Sequence, residues 1–427
     1  MAKNFENNMK ILFINSSDKT GGASTVAFRL HLALKKIFNT NNYFIVGNKT
    51  LNHDFISSTR KNKLEIFIEK IIDRISSKLG FQYQFFPISS YRILLHARRI
   101  KPDLISLHNT HGGYFATHLL IKLSEIAPVV WTMHDMWAIT ANAAHTFEDT
   151  SWKSGKAGKF EFKTPPKTLI NNGKWLINQK KHIYKKSNIS IVTPSKWLFN
   201  LTIQSPNLQG KDIFHAFNGI DTTVFYPKDK DKLREKYLIP INSSVILFSG
   251  DGNLKNNPWK GGNDLEQILK MVDAKGKDLI FLVIGKGDLS YLNELKNIQF
   301  IKVGFVNSET EMANYFSVAD LFIYPTLADN LPNTLVEAIS CGLPCITSDI
   351  GGCNEIIVDG INGLLIHERN NEIFANKIID LIGDKPKLLK MSEECRKIAL
   401  QKFDSEKMAI EYYTIFNSIL KENFKNN

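Results

Sequence analysis

Between Tyr324 and Pro344 the chain reads YPTLADNLPNTLVEAISCGLP, with two carboxylates, Asp329 and Glu337, eight positions apart. A short apolar run ends at Tyr324, a loop follows, and an apolar helical pattern begins near Asn333 or Thr334. The first N–H groups of such a helix have no intrahelical acceptor and carry the positive end of its dipole. They suit an anion such as a diphosphate. Asp329 falls in the loop before that helix and Glu337 about one turn inside it. Both can accept hydrogen bonds from hydroxyl groups on opposite sides of a bound phosphate. A capped helix with a solvated glutamate is the plainer reading of the same residues.

Histidines form the second group. His108 and His111 follow an apolar run at 104–107, and His134 follows one at 129–133. A metal pair at His108 and His111 is possible but has no evident third ligand; contact with an acceptor and structural hydrogen bonding are the other readings. His145 is open in the same way. Cys341 and Cys345 have C-x3-C spacing without a matching second pair and with apolar neighbours. With Cys353 and Cys395 they are expected to be buried free thiols in a reducing compartment.

These groups need a frame to hold them. Residues 10–15 form a short apolar run, Gly21 and Gly22 follow, and Val26, Leu30, Leu34 and Ile37 then recur at helical spacing. The order is strand, glycine loop, helix. Similar runs stand at 43–46, 104–107, 129–133 and 189–193, and the alternation restarts at 245–249, 280–284, 300–303, 321–324 and 345–347. The pattern predicts an α/β protein with two parallel sheets covered by helices. Asn218-Gly219 and the Pro-, Lys- and Asp-rich run 227–236 mark the connection, giving domains at 1–217 and 218–407. Ligands of open parallel sheets lie beyond the carboxyl ends of the strands, where the residues above fall.

The 427 residues carry a formal net charge of +12, unevenly placed. Residues 1–220 hold 30 Lys and Arg against 13 Asp and Glu, a net of +17, and the remainder holds 24 against 29, a net of −5. Such a field attracts phosphate-bearing substrates, acidic membranes or nucleic acid, but no nucleic-acid module is visible. Leu64, Ile68, Ile71, Ile72, Ile75 and Leu79 recur at helical spacing among Lys61, Lys63, Lys70, Arg74 and Lys78. The pattern fits a helix lying on an anionic membrane and equally a domain helix with a wet face. The basic stretch 153–186, with Trp152 and Trp175 at its start and centre, is a candidate loop for an acceptor or a lipid head group. No stretch reaches the ~20 apolar residues of a spanning helix, and the polar start does not read as a secretory signal. The expected location is the cytoplasm, at the inner face of the plasma membrane if the basic half meets anionic lipid.

Taken together, the chain resembles glycosyltransferase family 4, retaining enzymes of the GT-B fold with a Glu-x7-Glu pattern in the C-terminal domain. The resemblance rests on the Asp329–Glu337 segment and on Gly21-Gly22, Trp131-Thr-Met-His134-Asp135-Met-Trp137, Thr193-Pro-Ser195-Lys-Trp197 and Asn218-Gly-Ile-Asp221. Trp259-Lys260-Gly261, Gly304-Phe-Val306 and Asp359-Gly-Ile-Asn-Gly363 complete it, over roughly residues 10 to 415. It implies two Rossmann-like domains facing across a cleft, with helix 408–427 crossing back onto the first and coupling closure to donor binding.

By the same resemblance Glu337 binds the ribose hydroxyls of a nucleoside-diphosphate-sugar and Asp329 the hydroxyls of the transferred sugar. Asn330, Leu331, Pro332, Asn333, Thr334 and Leu335 give main-chain contacts to sugar and phosphates, and Lys260 neutralises the diphosphate. Phe305 and Val306 hold the base, His134 stands beside the reacting carbon, and Gly21-Gly22 let the backbone approach the diphosphate. No Asp-x-Asp stands in a suitable loop, so neither a metal nor another cofactor is expected. The implied acceptor is a glycan, lipid-linked by preference, in surface polysaccharide synthesis. Two departures stand out: Asp329 replaces the first Glu, and Asp251 stands where many members carry an Arg, with Lys255 as a substitute or a solvated lysine. The rivals are a nucleotide-sugar 2-epimerase of the same fold and a degenerate partner subunit that binds nucleotide or glycan.

Overall fold

The computed structural model describes residues 8–159, 161–163, 167–250, 259–285, 292 and 294–426. Asp251 and Lys255 lie outside them. The chain divides into two units, Met1–Gly219 with Ser405–Asn427, and Ile220–Asp404.

The N-terminal unit is built on strands β1 (Lys10–Ser17), β2 (Asn41–Asn48), β3 (Ile56–Ser58), β4 (Leu104–Leu107), β5 (Val129–Thr132), β6 (Ile189–Thr193) and β7 (Ile213–His215). They form one seven-stranded sheet in the order β3-β2-β1-β4-β5-β6-β7. Every pairing is parallel. Alternate residues of β1 serve opposite faces: Leu12 and Ile14 enter one core cluster, Ile11 and Phe13 another. Helices therefore cover both sides, and the inner strands read as unbroken apolar runs. β3 and β7 are three-residue edge strands, too short for any periodicity to announce them.

The last helix, Ser405–Asn426, packs on helix Gly22–Phe38 within this unit. Tyr412, Phe416 and Leu420 join Val26, Leu30 and Leu34 in one core. Phe38 stacks on Tyr413 with ring centroids 3.8 Å apart.

The C-terminal unit carries β8 (Val245–Ser249), β9 (Leu279–Ile284), β10 (Ile298–Gly304), β11 (Leu321–Tyr324), β12 (Cys345–Ser348) and β13 (Gly363–Ile366). The order is β10-β9-β8-β11-β12-β13, again parallel. In both sheets the winding reverses beside the first strand of the unit, between β1 and β4 and between β8 and β11. At such a reversal the loops leaving two adjacent strands run to opposite faces and open a crevice. All four cysteines are buried and free, and burial pushes the Cys345 and Cys395 thiols well above their ordinary value.

Two expectations need correction. Helix Lys63–Lys78 is not a domain helix with a wet polar face: its buried residues are Glu69 and Ser76, while Leu64, Ile68, Ile71, Ile75 and Leu79 of the apolar stripe are exposed and Ile72 is half-buried. Nor is 153–186 simply a basic loop. Trp152 is buried, residues Gly173–Lys186 form a helix, and Lys180 on that helix is buried in the core. Composition reports how many lysines a segment has but not which of them finds buried carbonyls.

Candidate functional site

In the C-terminal unit the loops after β8 and β11 meet. Trp259 offers one carbonyl oxygen to three donors: the Leu327 N–H at 2.7 Å, the Ala328 N–H at 3.2 Å and the Thr326 hydroxyl at 2.9 Å. The turn closes at Gly261, whose φ is +65°; a Cβ there would lie 1.8 Å from the Pro325 carbonyl oxygen. Only glycine permits that approach. Gly351 does the same from the other side, where a Cβ would meet the Asp329 carbonyl oxygen at 1.7 Å.

This clamp brings Lys260 onto Asp329. The ammonium donates to Asp329 Oδ2 at 2.9 Å and to the Tyr324 hydroxyl at 2.6 Å, and that hydroxyl donates to the same carboxylate oxygen at 2.6 Å. Asp329 Oδ1 accepts the Asn330 N–H at 2.9 Å. Burial alone would lower the Lys260 pKa, but the Asp329 charge and the Tyr324 hydroxyl outweigh it and hold it well above the ordinary lysine value. Burial, together with the Asp329 charge, raises the Tyr324 phenol. The result is a permanently protonated ammonium at the carboxyl edge of the sheet.

Helix Asn333–Ser340 begins just beyond. Pro332 occupies its N-cap and supplies no side-chain oxygen, so the end keeps its dipole's positive character without an internal anion. Asn330 and Leu331 are buried in the approach, with the Asn330 carbonyl accepting the Gly352 N–H at 2.7 Å. Asn333 and Thr334 form the first turn, followed by Leu335, and Glu337 lies one turn in and buried. Phe305 and Val306 follow β10, Phe305 with its ring half exposed.

In the N-terminal unit Gly21 caps helix Gly22–Phe38 with φ 92°, and nothing lies within 4 Å of where its Cβ would be. Asp18 anchors the loop before it, accepting the Thr50 and Leu51 N–H groups at 2.7 Å each. His134, after β5, lies 3.1 Å through Nε2 from His108 Nδ1, and His108 Nε2 lies 3.2 Å from the Ser106 hydroxyl. Beside them His111 Nε2 is 2.8 Å from Asp135 Oδ2. Burial pulls the His134 pKa down to about 4, so the ring is neutral near pH 7. Burial would raise Asp135, yet the neighbouring His111 outweighs it and brings the carboxyl to about 2. Lys180 donates to the Trp137 and Thr140 carbonyls and sits 3.3 Å from the Trp137 ring centroid, bracing the segment after His134.

Sequence reading overlooked Tyr324, Ser106 and Lys180 as partners and gave Asp135 no role. Tyr324 stands five positions before Asp329, and its place as the last residue of an apolar strand is the signal that points to it. Lys180 gave no signal among its many lysine neighbours.

The buried histidines make stability depend on pH. Burial holds both His31 and His134 at about 4 in the fold, against an ordinary value of 6.5. Between those values the unfolded chain binds more protons, so stability is complete above about pH 6.5 and is lost as pH falls toward about 4. Each is expected to contribute on the order of 2 kcal/mol of loss by about pH 5. Urea unfolding followed from about pH 7.5 to about pH 5 checks this, and His31→Gln should flatten the slope.

The family model for Glycosyl transferases group 1 matches residues 243–384. The UDP-Gal:alpha-D-GlcNAc-diphosphoundecaprenol alpha-1,3-galactosyltransferase of Escherichia coli is 30% identical over 328 residues, 74% of this chain and 75% of that one. The N-acetyl-alpha-D-glucosaminyl L-malate synthase of Bacillus anthracis is 26% identical over 215 residues, 50% of this chain. The match spans only about half that relative's length, 55%, as it does for a capsular polysaccharide glycosyltransferase of Staphylococcus aureus. Among solved structures, Anabaena HepE in complex with UDP and glucose superposes with a TM-score of 0.65 at 18% identity, covering 96% of this chain and 100% of that one. Sucrose-phosphate synthase of Thermosynechococcus elongatus gives 0.68 at 14% identity, covering 97% and 100%. The fold is that of the GT-B glycosyltransferases.

Proposed function

Since the chain belongs to the group 1 glycosyltransferase family, we propose that it moves a sugar from a nucleoside-diphosphate-sugar to a hydroxyl of a lipid-linked glycan. The setting we assign is bacterial surface polysaccharide synthesis, at the cytoplasmic face of the membrane. One observation carries the reading: Lys260, protonated and in the loop after β8, is held by Tyr324 and by Asp329, and Asp329 lies in the loop that leads to the N-terminus of helix Asn333–Ser340. Breaking the sugar–diphosphate bond leaves negative charge on the departing phosphate. A fixed cation and a helix N-terminus stabilise that charge without reorganising as it develops.

Within this reading Glu337 accepts the ribose hydroxyls, Asp329 orients the transferred sugar, and Phe305-Val306 border the base. Gly21 and Gly22 serve the phosphates, and a neutral His134 hydrogen-bonds the sugar. Transfer proceeds with retention: the departing phosphate oxygen takes the acceptor proton on the same face, with no protein nucleophile and no metal. The relatives support the lipid-linked acceptor, since the E. coli enzyme is named for a diphosphoundecaprenol-linked sugar. They support the donor class too, since Anabaena HepE was solved with UDP-glucose.

A thermal-shift panel of UDP, GDP, ADP and dTDP, with magnesium and with EDTA, tests this on wild type and Glu337→Ala. A nucleotide at a hundredfold excess over Kd stabilises the fold by about 2.7 kcal/mol. One nucleotide should raise Tm equally with and without magnesium, and Glu337→Ala should lose the shift. No shift with any nucleotide at millimolar concentration sinks the donor site and favours a degenerate partner. A magnesium requirement sinks metal independence alone, and donor consumed without acceptor points to the epimerase.

A further inference from the structure

Helix Lys63–Lys78 is inside out. Its Glu69 and Ser76 are buried, Glu69 accepting the Ser89 N–H at 2.7 Å. Its apolar stripe faces away, with Leu64, Phe67, Ile71 and Ile75 exposed to 66%, 61%, 42% and 56%. Those positions fall at helical spacing on one side, and Lys63, Lys70 and Arg74 run along one flank of the stripe. A helix that packs against its own domain does the reverse.

The apolar surface continues beyond the helix. On one side Glu65 is paired with Arg92 at 2.5 Å, and Arg92 belongs to helix Pro87–Ile100, whose Tyr91 and Leu95 are exposed. At the helix end Asn172 donates to the Leu79 carbonyl at 2.7 Å, bringing exposed Leu169 and Ile170 alongside. Phe81 then links to Trp175, ring centroids 5.1 Å apart, and Trp175 is itself partly exposed. Exposed apolar side chains therefore recur on the elements tied to both the side and the end of this helix, with a cationic flank along its stripe. Exposed apolar patches of this kind mark an interaction surface.

We propose that this face docks on an anionic lipid bilayer, with the stripe of helix Lys63–Lys78 lying in the interface. Charge selects the occupant: the flank is cationic, the N-terminal half carries a net +17, and aromatic side chains suit the head-group layer. Among the described residues no helix is long and apolar enough to cross a membrane. The polar underside of the helix also leads inward. Arg60, ion-paired to Glu69 at 3.7 Å, donates to the Gly113 carbonyl at 3.1 Å, two residues from His111. A lipid-borne acceptor would thus meet the protein on the side of the unit that carries His111 and Asp135. Docking itself does not depend on which sugar is transferred.

Vesicle flotation with the full chain tests the proposal. Wild type should float with vesicles of mixed phosphatidylcholine and phosphatidylglycerol, weakly with phosphatidylcholine alone, and less at high salt. F67E/I71E and K70E/R74E should each lower anionic-vesicle binding by about tenfold or more. Both pairs are exposed, so an unchanged Tm and an unchanged nucleotide shift show that fold and donor site are intact. Wild-type binding that ignores anionic lipid, or variants that float like wild type, overturns it. So does a concentration-dependent dimer in light scattering that F67E/I71E abolishes, which would assign the face to a second copy.

Discussion

Lys260→Met should lower kcat by about 10²–10³, the scale on which a single preorganised charge stabiliser acts at a developing anion. The ammonium is held by two acceptors, Asp329 Oδ2 and Tyr324 Oη, at 2.9 and 2.6 Å, so it spends no energy finding its place as charge forms. Methionine keeps most of the stem volume and removes the cation. The pair is partly exposed, 34% and 20% at the two side chains, so the loss in fold stability should be no more than about 1 kcal/mol. Single-turnover rates with saturating donor check the prediction against nucleotide affinity measured separately. A kcat within about threefold of wild type would remove Lys260 from the leaving-group role. Because the fold holds its pKa well above the ordinary lysine value, wild-type activity should show no loss attributable to Lys260 at mildly alkaline pH.

Asp329→Ala should fall by a comparable factor of about 10²–10³ for a different reason. It removes the carboxylate proposed to orient the sugar and leaves the Lys260 ammonium without its counter-charge. Burial then acts on Lys260 unopposed by that charge, pulling its pKa down, so the variant's remaining activity should decline at lower pH than wild type's. Asp329→Glu separates the two effects. The longer side chain keeps the charge, but Gly351 pins the Asp329 backbone, whose carbonyl a Cβ there would meet at 1.7 Å, so the extra methylene must move the carboxylate. We expect intermediate turnover with a wild-type pH profile. Equal loss in both variants, with no change of profile, would mean that the position acts by loop geometry alone.

Much of the scaffold was legible because its information is local. Buried parallel strands are short apolar runs, and each of the ten anticipated from the sequence overlaps a strand of the fold. Asp329 and Glu337 could be placed in a loop and one turn into a helix because the helical repeat follows from residue order, and the helix does begin at Asn333. What escaped was short or distant. β3 and β7 are three-residue edge strands that gain their identity from a neighbouring strand rather than from their own pattern, whereas β13, a four-residue apolar run as long as β4 or β11, carried a local signal that went unread.

The sequence by itself determined two α/β units, the loops from which the candidate residues emerge and the amphipathic character of 64–79. Only the tertiary structure decided what those residues touch. Tyr324 joined Lys260 and Asp329 because the Trp259 carbonyl ties together two loops more than sixty positions apart. His108 met His134 because β4 and β5 lie side by side. Periodicity shows that a helix has an apolar stripe but not which side of it the rest of the chain covers. Here Glu69 and Ser76 found partners inside and the stripe was left outside, since burial depends on the neighbours a face receives and not on the face alone.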